Sequence, residues 1–167
     1  LSSTFRQSAD DRDDARGIDP ENRFYWRMNR HRLDWESTRD ALLAVSGRLD
    51  SNVGGPPMAN PFAKDARRRT IYASIDRLNL PGLYRTFDFP DPNASAPERA
   101  ETSVPPQALF FMNHPLLRES AQAILKRPDV AAESTVDGRV GRCFSIVFGR
   151  RPGPPELEAS LAFLGKA

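Results

Sequence analysis

Apolar residues recurring at alternating spacings of three and four predict one helix more clearly than any other segment of this chain. Trp35, Thr38, Leu42, Val45 and Leu49 stack on one helical face. Asp34 supplies the N-cap and Gly47 suits the C-terminal turn. A second stripe, Val140, Cys143, Phe144, Val147 and Phe148, is stopped by Gly149 and Pro152. A third helix opens at Pro155, carries Leu157, Leu161 and Leu164 on one face, and has Gly165 as its cap. These stripes lead to the expectation that Trp35, Leu42, Val45, Phe144, Val147, Leu161 and Leu164 share one core.

The remaining segments are shorter and more broken. The opening LSSTFRQSADDRDDARG has no apolar period and reads as an extended arm or loop. Asp19 and Pro20 then predict a capped helix start, running through Phe24, Tyr25 and Met28. Paired glycines and prolines make Ser51 to Ala66 a loop. Arg69 to Ile75 is open between strand and helix: β-branched residues favour the first, and the spacing of Ile71, Ile75 and Leu78 favours the second, which we prefer. Pro105 and Pro106 launch a helix from Gln107 to Met112. Asn113, His114 and Pro115 launch another, with Leu117, Ala121, Ile124 and Leu125 inward. Lys126 to Gly138 reads as a linker loop. The reading is a mainly α fold, a compact array of five or six short helices joined by long proline-rich loops in a single domain over residues 1–167.

Composition narrows the function classes. The chain of 167 residues carries 24 basic and 22 acidic side chains, and the balance stays flat along its length, so no global field draws in nucleic acid or an anionic membrane. Only Lys64, Lys126 and Lys166 are lysines; the other basic residues are arginines, which pair with carboxylates through a two-pronged fork. One cysteine, Cys143, excludes an internal disulfide and any cysteine-rich metal site. No apolar run approaches the length of a membrane helix, so no membrane insertion is expected.

Catalytic constellations are sparse. The two histidines, His31 and His114, sit beside arginines and before a proline, with no HxxxH spacing, and are read as cap or surface residues. Neither Ser46 nor Ser145 lies in a GxSxG elbow, and Cys143 falls on the apolar stripe of its helix, where a thiol is inert. Phe24 to Arg32 interleaves aromatic and basic residues, as single-stranded nucleic-acid surfaces do, but flanking aspartates cancel the charge. No CxxCH is present for covalent haem attachment, and no cofactor is expected. Asp88, Asp91 and Asn93 place three oxygen ligands in a proline-stiffened loop, and Asp10, Asp11, Asp13 and Asp14 form another oxygen-rich cluster, yet neither has the EF-hand pattern. We read Asp88 and Asp91 as turn caps paired with arginines such as Arg85 or Arg99. Asp88, Asp91, Asn93 and Arg99 are the binding candidates; no catalytic residue and no metal ligand is assigned.

Several blocks, taken together, resemble a known family. They are TFRQS at 4–8, DPENR at 19–23, LDWESTRDALLAVSGRLD at 33–50, GGP at 54–56, RRTIY at 68–72, FDFPDPN at 87–93, Arg99, TSVPPQALFFMN at 102–113 and FGRRPGPPE at 148–156. In order and content they are similar to the planctomycete-specific C-terminal domain of unknown function. That domain follows a cytochrome-c-type domain and a second planctomycete-specific domain in large multidomain proteins. Gly153 departs from the Ser or Thr N-cap usual in the last block. The resemblance implies an extracytoplasmic bacterial setting and an excised C-terminal part of a longer chain, and it carries over no catalytic residue. The expected function is a non-catalytic interaction or structural module. Its partners would be other domains of the parent protein or an extracellular glycan. The alternative is part of a carboxylate-based enzyme acting on extracellular polysaccharide.

Overall fold

Asp34 begins the best-defined helix by accepting a hydrogen bond from the Ser37 N–H at 2.7 Å, which satisfies a donor the helix itself leaves free. The computed structural model describes residues 2–166, and among them the fold is mainly α, with no strands. In chain order the helices are α1 (Asp13–Ile18), α2 (Trp35–Val45), α3 (Gly82–Thr86), α4 (Pro105–Asn113), α5 (Pro115–Leu125), α6 (Pro128–Ala131), α7 (Val136–Phe148) and α8 (Pro154–Leu164). Contacts divide the chain into two units with a boundary after Leu33. No helix of the described residues is long and apolar enough to cross a membrane.

The first unit holds α1, where the polar pattern predicts an extended arm, and within this unit no helix follows Pro20. The Asp19 carboxylate does accept from the N–H groups of Arg23 and Phe24, as a cap would. But Asn22 and Tyr25 adopt left-handed backbone angles (φ 56° and 53°), which end the turn. The buried Asn22 side chain then bonds the Arg27 carbonyl and Asn29, and the Trp26 indole donates to the Asp19 carbonyl at 2.9 Å. A polar knot replaces the expected helix.

The second unit is organised by α2, whose buried residues are Trp35, Arg39 and Leu43, followed by Ser46 just past its end. That spacing of four, four and three selects a different face from the predicted stripe, because Arg39 counts as polar in any periodicity count and is in fact 1% exposed. Trp35 sits in an aromatic cluster with Leu80, Tyr84, Phe87 and Phe110, with Phe62 and Phe89 packed against it. Of the seven residues expected in one core only Trp35 belongs to this cluster. Leu42, Val45, Phe144 and Leu161 are half-buried, while Val147 and Leu164 are 48% and 49% exposed. The error has one cause: helical stripes identify faces, but not which faces meet.

Arg39 explains how a long loop is held without strands. Its Nε donates to the Pro61 carbonyl at 2.9 Å, Nη1 to the Arg68 carbonyl and Thr70 Oγ1, and Nη2 to the Ala66 carbonyl at 2.6 Å. Asp40 lies 3.6 Å from the same guanidinium and accepts from both the N–H and the hydroxyl of Thr70. Isolated bridges join Asp50 to Arg68 and Met58 to Ala73. Only one 3₁₀ turn, Thr70–Tyr72, forms within the segment that was open between strand and helix.

Two further elements depart from the sequence reading. The supposed linker from Lys126 contains α6, whose Val130 is buried, and α3 forms just before the proline-rich segment. Arg127 pins α6 to the end of α2 by donating to the Val45 carbonyl at 3.0 Å.

Leu43 is fully buried on the face α2 turns inward. Leu43→Ala is expected to destabilise the second unit by about 2 to 5 kcal/mol in denaturant unfolding, whereas Leu42→Ala, at a half-buried position, costs distinctly less.

Candidate functional site

Five prolines stiffen the segment 87–106, and two phenylalanines anchor its start. Phe87 is buried in the aromatic cluster, 5.3 Å from the Trp35 ring, and Phe89 packs edge-on against Tyr84 at 4.8 Å. Between them Asp88 takes a left-handed conformation (φ 57°), which turns its carboxylate back on the loop. That carboxylate accepts from the Thr102 N–H at 2.8 Å and hydroxyl at 2.7 Å, while its carbonyl accepts from Arg99 Nε at 3.0 Å. The Arg99 guanidinium also pairs with Glu36 at 3.0 Å and Asp34 at 3.4 Å, and lies over the Phe89 ring. Arg99 thus ties the loop to the first turn of α2.

The structure therefore brings Asp88 and Arg99 together, while Asp91 and Asn93 make a local turn of their own. Asp91 Oδ1 accepts from the Asn93 N–H at 2.9 Å, and the Asn93 amide reaches the Arg77 carbonyl at 3.4 Å. Both Asp88 carboxylate oxygens and Asp91 Oδ1 are bonded within the loop. Of the other acidic cluster, Asp11 pairs with Arg16, Asp10 bonds Ser8, and Asp13 and Asp14 occupy the first turn of α1. Among the described residues no group of three or more His, Cys, Asp or Glu could hold a metal ion. His31 is exposed, and His114 caps α5 through Nδ1, with its pKa lowered by burial.

The surface that stands open lies elsewhere, between α7 and α8. Thr135 caps α7 by accepting from the Gly138 N–H, and Gly149 ends it with a left-handed φ of 69°. Glu156 begins α8 by reaching back to the Gly153 N–H at 2.8 Å, so the glycine that lacks a capping side chain is served by the first turn. Neither helix has a buried residue. Their apolar stripes line a cleft of about 740 Å³ with Leu125 of α5, Val140, Cys143, Phe144, Phe163 and Leu164 in its walls. Arg139 and Ser160 are its polar members. Phe163 is 72% exposed, and Phe148, tilted against the Phe144 ring at 5.1 Å, is 61% exposed. Burial raises the pKa of the Cys143 thiol, which keeps it protonated at neutral pH.

Sequence reasoning found these stripes and assigned them to a core. The signal it lacked was supply: two amphipathic helices need a third apolar surface, and α2 spends its inward face on Trp35, Arg39 and Leu43 instead.

Two ion-pair groups hold the hairpin's ends. Asp129 accepts from Arg127 and from Arg142 at 2.8 Å, which links α6 to α7, and Glu156 pairs with Arg150 at 2.7 Å. The hydrogen bonds from Arg127, and then from Arg142, hold the Asp129 carboxyl well below the ordinary carboxylate range. The Arg150 and Gly153 bonds bring Glu156 from 4.5 down to about 2.

Over residues 1–164 the chain matches the family PSD1, described as a protein of unknown function (DUF1553), and it belongs to that family. No curated protein and no solved structure matches it.

Both depressed carboxyls favour the folded state above their unfolded values, and that contribution disappears as pH falls through the folded ones. Thermal unfolding is expected to show stability declining as pH drops from about 4.5 to about 2, with Glu156→Gln flattening part of the decline. Arg99→Ala is expected to speed amide exchange across residues 88–96 while α2 and α5 keep their protection. Equal exchange in both proteins would show that Arg99 does not hold the loop.

Proposed function

We propose that this PSD1 domain is a non-catalytic interaction module whose α7–α8 cleft receives an apolar protein surface. The observation that carries the reading is the cleft itself: about 740 Å³, walled by aliphatic and aromatic side chains, with Arg139 and Ser160 its polar members. Leu125, Val136, Phe163 and Leu164, each about half exposed or more, are gathered on this one face, and a grouped apolar face favours a binding surface over scattered surface residues. Covering one such side chain is worth about 1.5 to 3 kcal/mol when burial is complete. A glycan, whose hydroxyls need many donors and acceptors, finds few here, which favours a protein partner. That partner is another domain of the same parent protein.

The carboxylates argue in the same direction. An enzyme acting on polysaccharide needs two acidic groups free to face the substrate. Here Asp34, Glu36, Asp129 and Glu156 are paired with arginines, and Asp88 is bonded by Thr102. The setting we propose is extracytoplasmic, in the C-terminal part of a larger planctomycete multidomain protein. Its support is the resemblance of the FDFPDPN, TSVPPQALFFMN and FGRRPGPPE blocks.

Phe163→Asp tests the reading, because a residue so exposed tolerates the change without loss of folding. The variant is expected to keep its melting temperature. It should lose most binding of an apolar fluorescent dye, and weaken association with the neighbouring domains of the parent by at least about tenfold, or 1.4 kcal/mol. Unchanged affinity in the variant would remove the cleft from the interface.

A further inference from the structure

A smaller pocket of about 140 Å³ lies in the second unit, independent of the α7–α8 cleft. Trp35 at the start of α2, Arg48 beyond its end, the loop through Phe62 and Lys64, and the first turn of α5 at His114 form its walls. Two of these side chains carry buried N–H donors that meet no acceptor: Trp35 Nε1, on a residue with no exposed surface, and Arg48 Nη1. The other indole of the chain, that of Trp26, does have its acceptor, the Asp19 carbonyl. Buried polar groups in folded proteins are nearly always bonded, so two orphaned donors in one small pocket call for an acceptor supplied from outside.

The electrostatics specify that acceptor. Arg48 Nη2 donates to the Lys64 carbonyl at 2.9 Å and reaches Glu119 Oε2 only at 3.4 Å, longer than a charge-assisted bond, so Nη1 is open and the second N–H of Nη2 is loosely held. His114 Nδ1 accepts from the Leu116 N–H at 3.2 Å, which places the ring proton of the neutral imidazole on Nε2, a donor. The N-terminus of α5 adds the positive end of its dipole. Lys64, exposed, adds a cation to the lining. Glu119 is the opposing charge. It admits a monoanion that displaces its long contact, and it repels a second negative charge on the ligand.

We propose that this pocket binds a single carboxylate group, which takes the Arg48 fork and the Trp35 indole N–H. A planar two-oxygen head matches the guanidinium, and the space, which about four or five waters would fill, suits such a head with a short stem. Two sources supply such a carboxylate, a small acid and a polypeptide, the latter through an acidic side chain or a C-terminus.

The test follows the two indole N–H resonances of the intact chain at neutral pH and constant ionic strength, assigned with Trp26→Phe. Acetate is expected to shift the Trp35 signal saturably and leave the Trp26 signal in place, while acetamide does neither. Arg48→Lys is expected to weaken acetate at least tenfold. Glu119→Gln, which removes the competing carboxylate and leaves the fold intact, is expected to tighten it several-fold. Stronger binding of a short peptide with a free C-terminus than of its C-terminal amide assigns the group to a polypeptide. Binding of acetate without peptide assigns it to a small acid. No saturable shift by either probe in wild type or Glu119→Gln overturns the proposal. So does an equal response to inorganic phosphate and chloride, which marks an adventitious ion only.

Discussion

One buried guanidinium carries the architecture of the larger unit. A charge removed from water is tolerable only when its donors are satisfied, and Arg39 meets that condition with backbone carbonyls of one loop and the hydroxyl of Thr70. Burial lowers its pKa and the neighbouring Asp40 opposes that shift, so the group stays cationic at any ordinary pH. The consequence is structural. Residues 58–70, which form no helix of their own before Thr70, are gathered onto α2 by side-chain bonds where a sheet would have used ladder bonds.

That gathering places Phe62 against Trp35 at 5.8 Å and so completes the aromatic cluster. The rings meet mostly edge to face, at 5.1 Å for Trp35 and Phe110 and 5.3 Å for Phe87 and Phe110, geometries that add to the gain from burial. The proline-rich loop hangs from the same rings through Phe87 and Phe89. Acidic residues then fix it: Asp88 closes the loop on Thr102, and Asp34 and Glu36 of the α2 start hold Arg99. Arginine and carboxylate side chains pair repeatedly along the fold, as Arg99 does with Glu36 and Arg142 with Asp129. The widest apolar face left open is on α7 and α8.

The mainly α class, the start of α2 at Asp34, the proline launches of α4 and α5 and the glycine stop of α7 at Gly149 were legible in the sequence. Capping and helical periodicity act between residues a few positions apart, so a linear reading contains the physics that decides them. What only the tertiary structure decided was partnership. Arg39 entered the interior because four acceptors more than twenty residues away in the chain converge on it, and the knot of Asp19, Asn22 and Trp26 replaced a helix because left-handed turns let side chains bond one another. The stripes of α7 and α8 became a surface because the aromatic residues of distant segments had already filled the face of α2. The outcomes at Arg39 and at α7 and α8 depend on contacts between remote positions, which leave no local period to read, whereas the knot bonds near neighbours through side chains that no apolar periodicity registers.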